Sequence, residues 1–367
     1  MIERKELVGR VQTLAKHLQE QNIDILVLFD ADNIRYYADL RMNKATESIL
    51  AIGNDGVVHY IIPPLDYQRA LESCWIENLI TFPEDTPNYL NPLKELYRQK
   101  KIRRIGIEAS TASYHKVHFL KEVFSAEHVP VDQILVAMRA QKTAAELELI
   151  RESARIIDTT MAACVGYMQD GMSEAEVSGY ARYVMEKEGA EGAAFDPFLM
   201  SGENACLPQR FSSDKKLQKG ELFIFDMGAK YHGYCSDLTR TISFGGITSK
   251  QEEIYEVAFA AQQKALKAVR PGILASEIDK IARDYIADCG YGAYFPHITG
   301  HGLGISVHEM PILNAETELL LKPNMVVTVE PGIYVSGTGA ARVEDMVLLT
   351  DEGFEVLTKS RYDYIYQ

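Results

Sequence analysis

The stretch "FIFDMGAKYHGYCSDLTRTISF", residues 223–244, decides how the chain is built around its chemistry. Two apolar, β-rich runs flank a turn-like "KYHG", and each run carries one aspartate, Asp226 and Asp237. An aspartate inside an apolar strand costs several kcal/mol unless its charge is paired or bound to a metal. A turn near His232-Gly233 pairs the runs antiparallel and brings the two aspartates nearly opposite each other. Like charges facing across a strand pair repel, so the pattern calls for a cation.

Working outward, the second half of the chain repeats itself. "GMSEAEVSGYARYVMEKEG" (171–189) aligns without gaps to "GILASEIDKIARDYIADCG" (272–290) at a constant offset of 101. Gly171/Gly272, Glu176/Glu277, Ala181/Ala282, Arg182/Arg283 and Gly189/Gly290 match. The bland alternative is coincidence between two amphipathic helices. The residues after each helix favour a repeat. "LQKGELFIFDMG" and "LLKPNMVVTVEPG" each give a lysine, a turn residue, an apolar strand, an acid, one residue and a glycine. Each half then supplies a second acid in a further strand, Asp237 in "CSDLTRT" and Glu344 in "ARVEDMVLL". Two such halves face to face converge four carboxylates on one point. Without cations that cluster is strongly unstable; two divalent metals would balance it. "HITGHGLGISVHE" adds three histidines, His297, His301 and His308, among glycines that allow close backbone approach.

The first part of the chain has a different texture. Leu7, Val11, Leu14 and Leu18 recur at helical spacing, and "IDILVLF" reads as a buried strand. "SILAIG", "VVHYII" and "RRIGIE" read as further strands, giving an α/β domain whose histidines form no ligand-like cluster. "TAAELELIRESARIIDTTMAACVGYM" then reads as a long amphipathic helix, with Thr143 and Glu146 in capping-box spacing. The boundary falls near 136–141, predicting domains 1–137 and 138–367.

Bulk properties narrow the function classes. The chain has 367 residues, enough for two domains. Net charge is −14, from 38 basic and 52 acidic residues. That disfavours a nucleic-acid partner and an anionic membrane surface. No apolar run approaches the roughly 18 residues of a membrane span, and "MIERKELVGR" lacks a signal-peptide core. Five scattered cysteines without a C-x-x-C pair read as reduced thiols of a cytoplasmic protein.

Taken in order, "DMGAKYHGYCSD", "GHGLGISVHE", "VEPGIY" and "RVED" resemble the dinuclear metallopeptidases of the pita-bread fold. That family includes aminopeptidase P, prolidase and methionine aminopeptidase. The resemblance covers about residues 140–367; the first domain looks like a creatinase-type N-terminal domain. The implied fold class is α+β: a pita-bread domain with a pseudo-twofold repeat, preceded by an α/β domain.

The resemblance implies five metal ligands, Asp226, Asp237, His301, Glu330 and Glu344. Asp237 and Glu344 would bridge two ions. Asp226 would complete one site, and His301 with Glu330 the other. Such oxygen-rich sites with one imidazole suit Mn²⁺, placed first here, or Co²⁺, Fe²⁺ or Zn²⁺. The implied reaction is hydrolysis of the bond before proline by a hydroxide shared between the ions. Glu330 would act as general base, and His308 would bind substrate and steady the oxyanion. His297 would line the cleft, and Arg342, two residues from Glu344, would hold that carboxylate. The bland alternatives are a hydrogen-bonded core histidine for His297, an ordinary salt bridge for Arg342 and a strand-end or turn role for Asp226. A homodimer through the first domain is also implied.

The sequence departs from the family in two places. Where the peptidases read like "SGxNxxxPH", this chain reads "SGENACLPQRF" (201–211), with Gln209 at the histidine position. Glutamine hydrogen bonds but carries no proton at neutral pH. Arg210 comes next and would favour an anionic group on the substrate. "DNIRYYADLRMNKATES" also replaces a glycine-containing stretch that can line the cleft. These changes open the alternative of a diverged hydrolase or lyase on the same scaffold, ectoine-hydrolase-like or acting on another non-peptide substrate.

Overall fold

The computed structural model describes residues 2–42, 47–83, 90–208 and 210–363. The chain divides into two compact units, Met1–Met138 and Arg139–Gln367.

In the first unit, α1 (Arg4–Glu20) buries Leu7, Val11, Leu14 and Leu18, the stripe that its spacing predicts. β1 (Ile25–Leu28) comes next, then α2 (Ala31–Ala38), capped by the Asp30 side chain. Thus the start of "DNIRYYADLRMNKATES" is helical; its residues 43–46 lie outside the described residues. Next come β2 (Ile49–Gly53), β3 (Val58–Ile62), α3 (Pro64–Ser73), β4 (Leu79–Thr81), α4 (Asn91–Tyr97) and β5 (Arg104–Ile107). α5 (Tyr114–Val123), β6 (Glu127–Pro130) and α6 (Asp132–Ala140) complete the series. The strands form one sheet in the order β4-β3-β2-β1-β5-β6. β1 is antiparallel to β2 and parallel to β5. β1 and β2 are buried along their whole length, which is why they read as unbroken apolar runs. The edge strands β4 and β6 are partly exposed and carry no such run.

The second unit begins with α7 (Ala144–Tyr167), whose capping box joins Thr143 and Glu146. It continues through α8 (Glu174–Lys187), β7 (Gly192–Ala193) and β8 (Phe198–Ser201) into a 3-10 turn at Gly202–Cys206. Then come β9 (Leu222–Met227), β10 (Ala229–Tyr231), β11 (Tyr234–Cys235) and β12 (Leu238–Ser243). The second half repeats the plan with α9 (Ser249–Ala268) and α10 (Ala275–Asp288). Its strands are β13 (Gly300–Gly302), β14 (Glu309–Leu313), β15 (Val326–Val329), β16 (Gly332–Val335), β17 (Gly339–Arg342), β18 (Asp345–Leu349) and β19 (Phe354–Val356).

The internal repeat is visible in detail. α8 and α10 have 14 residues each and start at positions 174 and 275, the same 101-residue offset. Gly171 and Gly272 precede them with φ of +85° and +84°, a left-handed conformation open to glycine. Each donates its N–H to the segment leading into its half's first acid-bearing strand, to the Leu217 carbonyl at 2.9 Å and the Leu321 carbonyl at 2.8 Å. Each half also backs its sheet with its own helices. Val177 and Ala181 of α8 pack with Phe223 and Phe225 of β9. Ile278 and Ala282 of α10 pack with Val327 and Val329 of β15.

Candidate metal centre

The hairpin turns where the sequence places it. His232 and Gly233 both have positive φ, +45° and +87°, as a two-residue hairpin turn requires. The register differs slightly from expectation. Thr239 pairs with Asp226, and Leu238 with Met227, which sets Asp237 beside Gly228. The aspartates are therefore diagonal neighbours rather than directly opposite. Only Asp226 lies within a strand. Asp237 and Glu344 sit one residue before β12 and β18, and Glu330 one residue after β15. Pro331 cannot extend the β15 ladder, so the strand ends before Glu330.

These acids meet His301. Its Nε2 lies 3.2 Å from Glu330 Oε1 and 3.7 Å from Asp237 Oδ2. Asp237, His301 and Glu344 each offer a ligand atom, all within 4.8 Å of one another. His301 Nδ1 donates to the Gly302 carbonyl at 3.0 Å, which leaves Nε2 facing the acids. Asp226 joins the cluster through Arg342, whose guanidinium binds it.

The clustered acids oppose one another's ionisation. Burial, reinforced by the carboxylates of Glu344, Asp226 and Glu330, pushes Asp237 well above the usual range. Burial with the charges of Glu330 and Asp226 does the same to Glu344. Burial raises Asp226 to about 6 although Arg342 pulls it down. Burial also opposes ionisation of Glu330, but His301 and Arg342 outweigh it and hold this group at about 2. Asp226 Oδ1 and Glu344 Oε1 are buried and, among the described residues, have no hydrogen-bond partner. Orphaned buried carboxylate oxygens beside an imidazole fit a divalent-cation site.

Three hydroxyls absent from the sequence-based site orient this cluster. Thr239 Oγ1 donates to Glu344 Oε2 at 2.8 Å. Thr328 Oγ1 donates to Glu330 Oε1 at 3.1 Å and accepts the His301 N–H at 3.1 Å. Both threonines lie two residues along the chain from a candidate ligand acid, a strand-parity signal present in the sequence. The Tyr334 hydroxyl, in "VEPGIY", lies 2.9 Å from His297 Nε2 and accepts from Arg342 Nη1 at 2.8 Å. His297 Nδ1 meets the Ile298 carbonyl at 2.8 Å, so both ring nitrogens are engaged. Burial keeps His297 neutral.

The expected role of Arg342 needs correction. Among the described residues it meets Glu344 through Thr239 Oγ1 rather than directly, and it binds Asp226, Tyr334 and, at 3.1 Å, Thr239 Oγ1 itself. The expectation assumed that residues 342 and 344 share one strand face. The chain instead leaves the β16–β17 hairpin after Arg342 and enters a different sheet at Asp345.

His308 is exposed, its ring 4.2 Å from that of His301. Partial burial and the neighbouring His301 lower its pKa. Arg210 is exposed, whereas Gln209 lies outside the described residues.

Comparison with known proteins decides what this cluster belongs to. Residues 148–351 match the model of metallopeptidase family M24, and residues 10–141 match the creatinase/prolidase N-terminal domain. The chain belongs to metallopeptidase family M24. It is 35% identical to an Xaa-Pro dipeptidase of Pyrococcus furiosus, over 97% of this chain and 99% of the relative. The prolidase structure from Pyrococcus horikoshii OT3 superposes with a TM-score of 0.89 at 34% identity, covering 98% of this chain and all (100%) of that one. An X-Pro aminopeptidase structure from Thermotoga maritima also gives 0.89, at 30% identity, covering 97% and 99% of the two chains. The fold is thus the pita-bread fold behind a creatinase-type N-terminal domain, and this M24 member is a metal-dependent hydrolase. Among the described residues, no helix is long and apolar enough to cross a membrane.

Proposed function

We propose that the protein is an Xaa-Pro peptidase of the prolidase or aminopeptidase P type, hydrolysing the bond before proline. The observation that carries this reading is the convergence of buried acids from both halves on His301, with two carboxylate oxygens lacking partners among the described residues. The names borne by relatives that match over nearly the whole chain support the substrate class. Asp226, Asp237, His301, Glu330 and Glu344 would hold two divalent ions, Mn²⁺ before Co²⁺, Fe²⁺ or Zn²⁺. When bound, the ions would polarise the scissile carbonyl and make water nucleophilic at neutral pH.

The chain's own residues do the rest. Glu330, beside His301 and oriented by the Thr328 hydroxyl, would accept the proton released as water attacks. His308 is exposed beside His301 and neutral, and offers an N–H to oxygen charge developing on the substrate. His297 has no free ring nitrogen; its work is to hold Tyr334, and through it Arg342 and Asp226. Gln209 and Arg210 would face substrate, Arg210 favouring an anionic group. We also place the protein in the cytoplasm, on five cysteines that form no disulfide. We take it as a homodimer, supported by exposed Leu65 and Leu71 on α3 in the first unit.

The test is hydrolysis by the Mn²⁺-loaded protein of Xaa-Pro dipeptides, Xaa-Pro-Xaa tripeptides and proline-free controls. Cleavage confined to proline-containing members is expected; preference for dipeptides makes it a prolidase and for tripeptides an aminopeptidase P. No cleavage with metal bound would overturn the reading.

A further inference from the structure

Glu174 opens α8 and is fully buried, 0% exposed. Three residues surround its carboxylate with donors. Ser201 donates to Oε1 from both N–H and Oγ, each at 2.8 Å. Asn204 Nδ2 lies 3.1 Å from each carboxylate oxygen. Ser213 donates to Oε2 from N–H at 3.0 Å and from Oγ at 2.7 Å. The helix N-terminus binds the same segment in return. The Glu174 and Ala175 N–H groups donate to the carbonyls of Lys215 and Ser213 at 3.1 and 2.9 Å. One turn later, Ser178 Oγ lies 2.6 Å from Ser212 Oγ.

Both ends of segment 201–213 are therefore tied to one helix start. This segment carries Arg210, and its Ala205 packs in the core beside Tyr334. Met200 belongs to the same core cluster. The Tyr334 hydroxyl in turn joins His297 to Arg342. The internal repeat did not impose this device, because the 101-residue offset places Ala275 opposite Glu174.

We propose that Glu174 is a positioning residue for substrate binding: by clasping both ends of segment 201–213 it fixes the wall that carries Arg210 and supports Tyr334. The substrate part of this inference rests on the Xaa-Pro reading; the clasp itself does not. Glu174→Gln keeps the side chain's size but turns one acceptor oxygen into a donor facing other donors.

In the full-length E174Q protein, amide exchange across 201–213 should quicken by about tenfold or more. KM for the Xaa-Pro panel should rise by about fivefold or more while kcat changes less than about twofold. Mn²⁺ affinity, measured by calorimetry, should stay unchanged. Ser213→Ala removes one donor, should move exchange and KM the same way by less, and carries the test if E174Q does not fold. Unchanged exchange in 201–213 overturns the clasp. Loss of Mn²⁺ affinity in step with KM overturns the positioning role in favour of a general structural one. If the unaltered protein cleaves nothing in the panel, the Xaa-Pro reading fails while the exchange result still decides the clasp.

Discussion

At the residue scale, a buried charge cluster begins directly after His308. Glu309 comes directly after His308, and its buried carboxylate binds Arg139 and Lys142 and accepts the Ser306 N–H at 3.0 Å. Burial would raise its pKa, but Lys142 and Arg139 outweigh burial and lower it. A carboxylate depressed in the folded state contributes stability that is complete above its unfolded pKa. That contribution fades as pH falls through the folded value. Glu309→Gln leaves two cations beside a neutral group and should cost about 3–5 kcal/mol at pH 7. The gap between E309Q and the unaltered protein in urea unfolding should shrink as pH drops below about 4.5. A gap independent of pH from 7 to about 3.5 would refute the charge argument. Legibility at this scale followed residue type. The acids and His301 are strained without a cation, and strain shows in sequence. Thr239, Thr328 and Tyr334 are ordinary residues whose role comes only from where their hydroxyls end up.

At the element scale, the hairpin that carries two of the candidate ligands, Asp226 and Asp237, depends on a glycine. A Cβ at Gly228 would lie 2.2 Å from the Ser236 carbonyl oxygen and 2.7 Å from Phe195 Cε1. Ser236 immediately precedes Asp237, and its N–H donates to the Ala229 carbonyl at 2.9 Å. Gly228→Ala must push apart the chain segments that carry Asp226 and Asp237. A loss of about 1–3 kcal/mol in stability is expected from such overpacking. Mn²⁺ affinity should fall roughly tenfold or more, since ligand geometry is what the hairpin supplies. Calorimetric titration of folded G228A checks this, and affinity equal to the unaltered protein's would sink it. The sequence announces this hairpin well, because "HG" between alternating apolar runs is a turn signal with a mechanism. It does not announce the crowding at Gly228, which exists only once Ser236 and Phe195 arrive. It misleads at Arg342 for a related reason: parity holds along one strand and fails where the chain changes sheets.

At the scale of the whole second unit, the two halves are locked by an ion pair whose members, Arg240 in "CSDLTRT" and Asp345 in "RVED", lie in the motifs beside the ligand acids without being read as partners. Arg240 on β12, from the first half, binds Asp345 on β18, from the second, at 2.8 Å; both are buried. Asp345 also accepts from Gln262 at 2.7 Å, Thr358 at 2.8 Å and Tyr362 at 2.9 Å. Arg240 reaches the carbonyls of Ser360 at 2.8 Å and Arg361 at 2.9 Å, and the Tyr362 ring lies 4.5 Å from its guanidinium. From α7, Asp158 takes the Lys359 and Ser360 N–H groups at 2.7 and 2.8 Å. The C-terminal segment thus closes over the pair. The repeat itself was legible, because matched helices and matched acids recur at one offset. This lock was not, because Arg240 and Asp345 look like the polar members of ordinary strands until the halves meet. Arg240→Met keeps the side chain's length and leaves Asp345 buried with its charge partner gone. Breaking a buried pair from one side typically costs about 3–5 kcal/mol, whereas replacing both partners can be nearly neutral. R240M should therefore unfold at markedly lower urea, with amide exchange in 358–362 accelerated. The double variant R240M/D345N should recover part of the loss, because no unpaired charge remains. If the double variant is as unstable as the sum of the two single changes, the pair has no coupling and the lock is only packing.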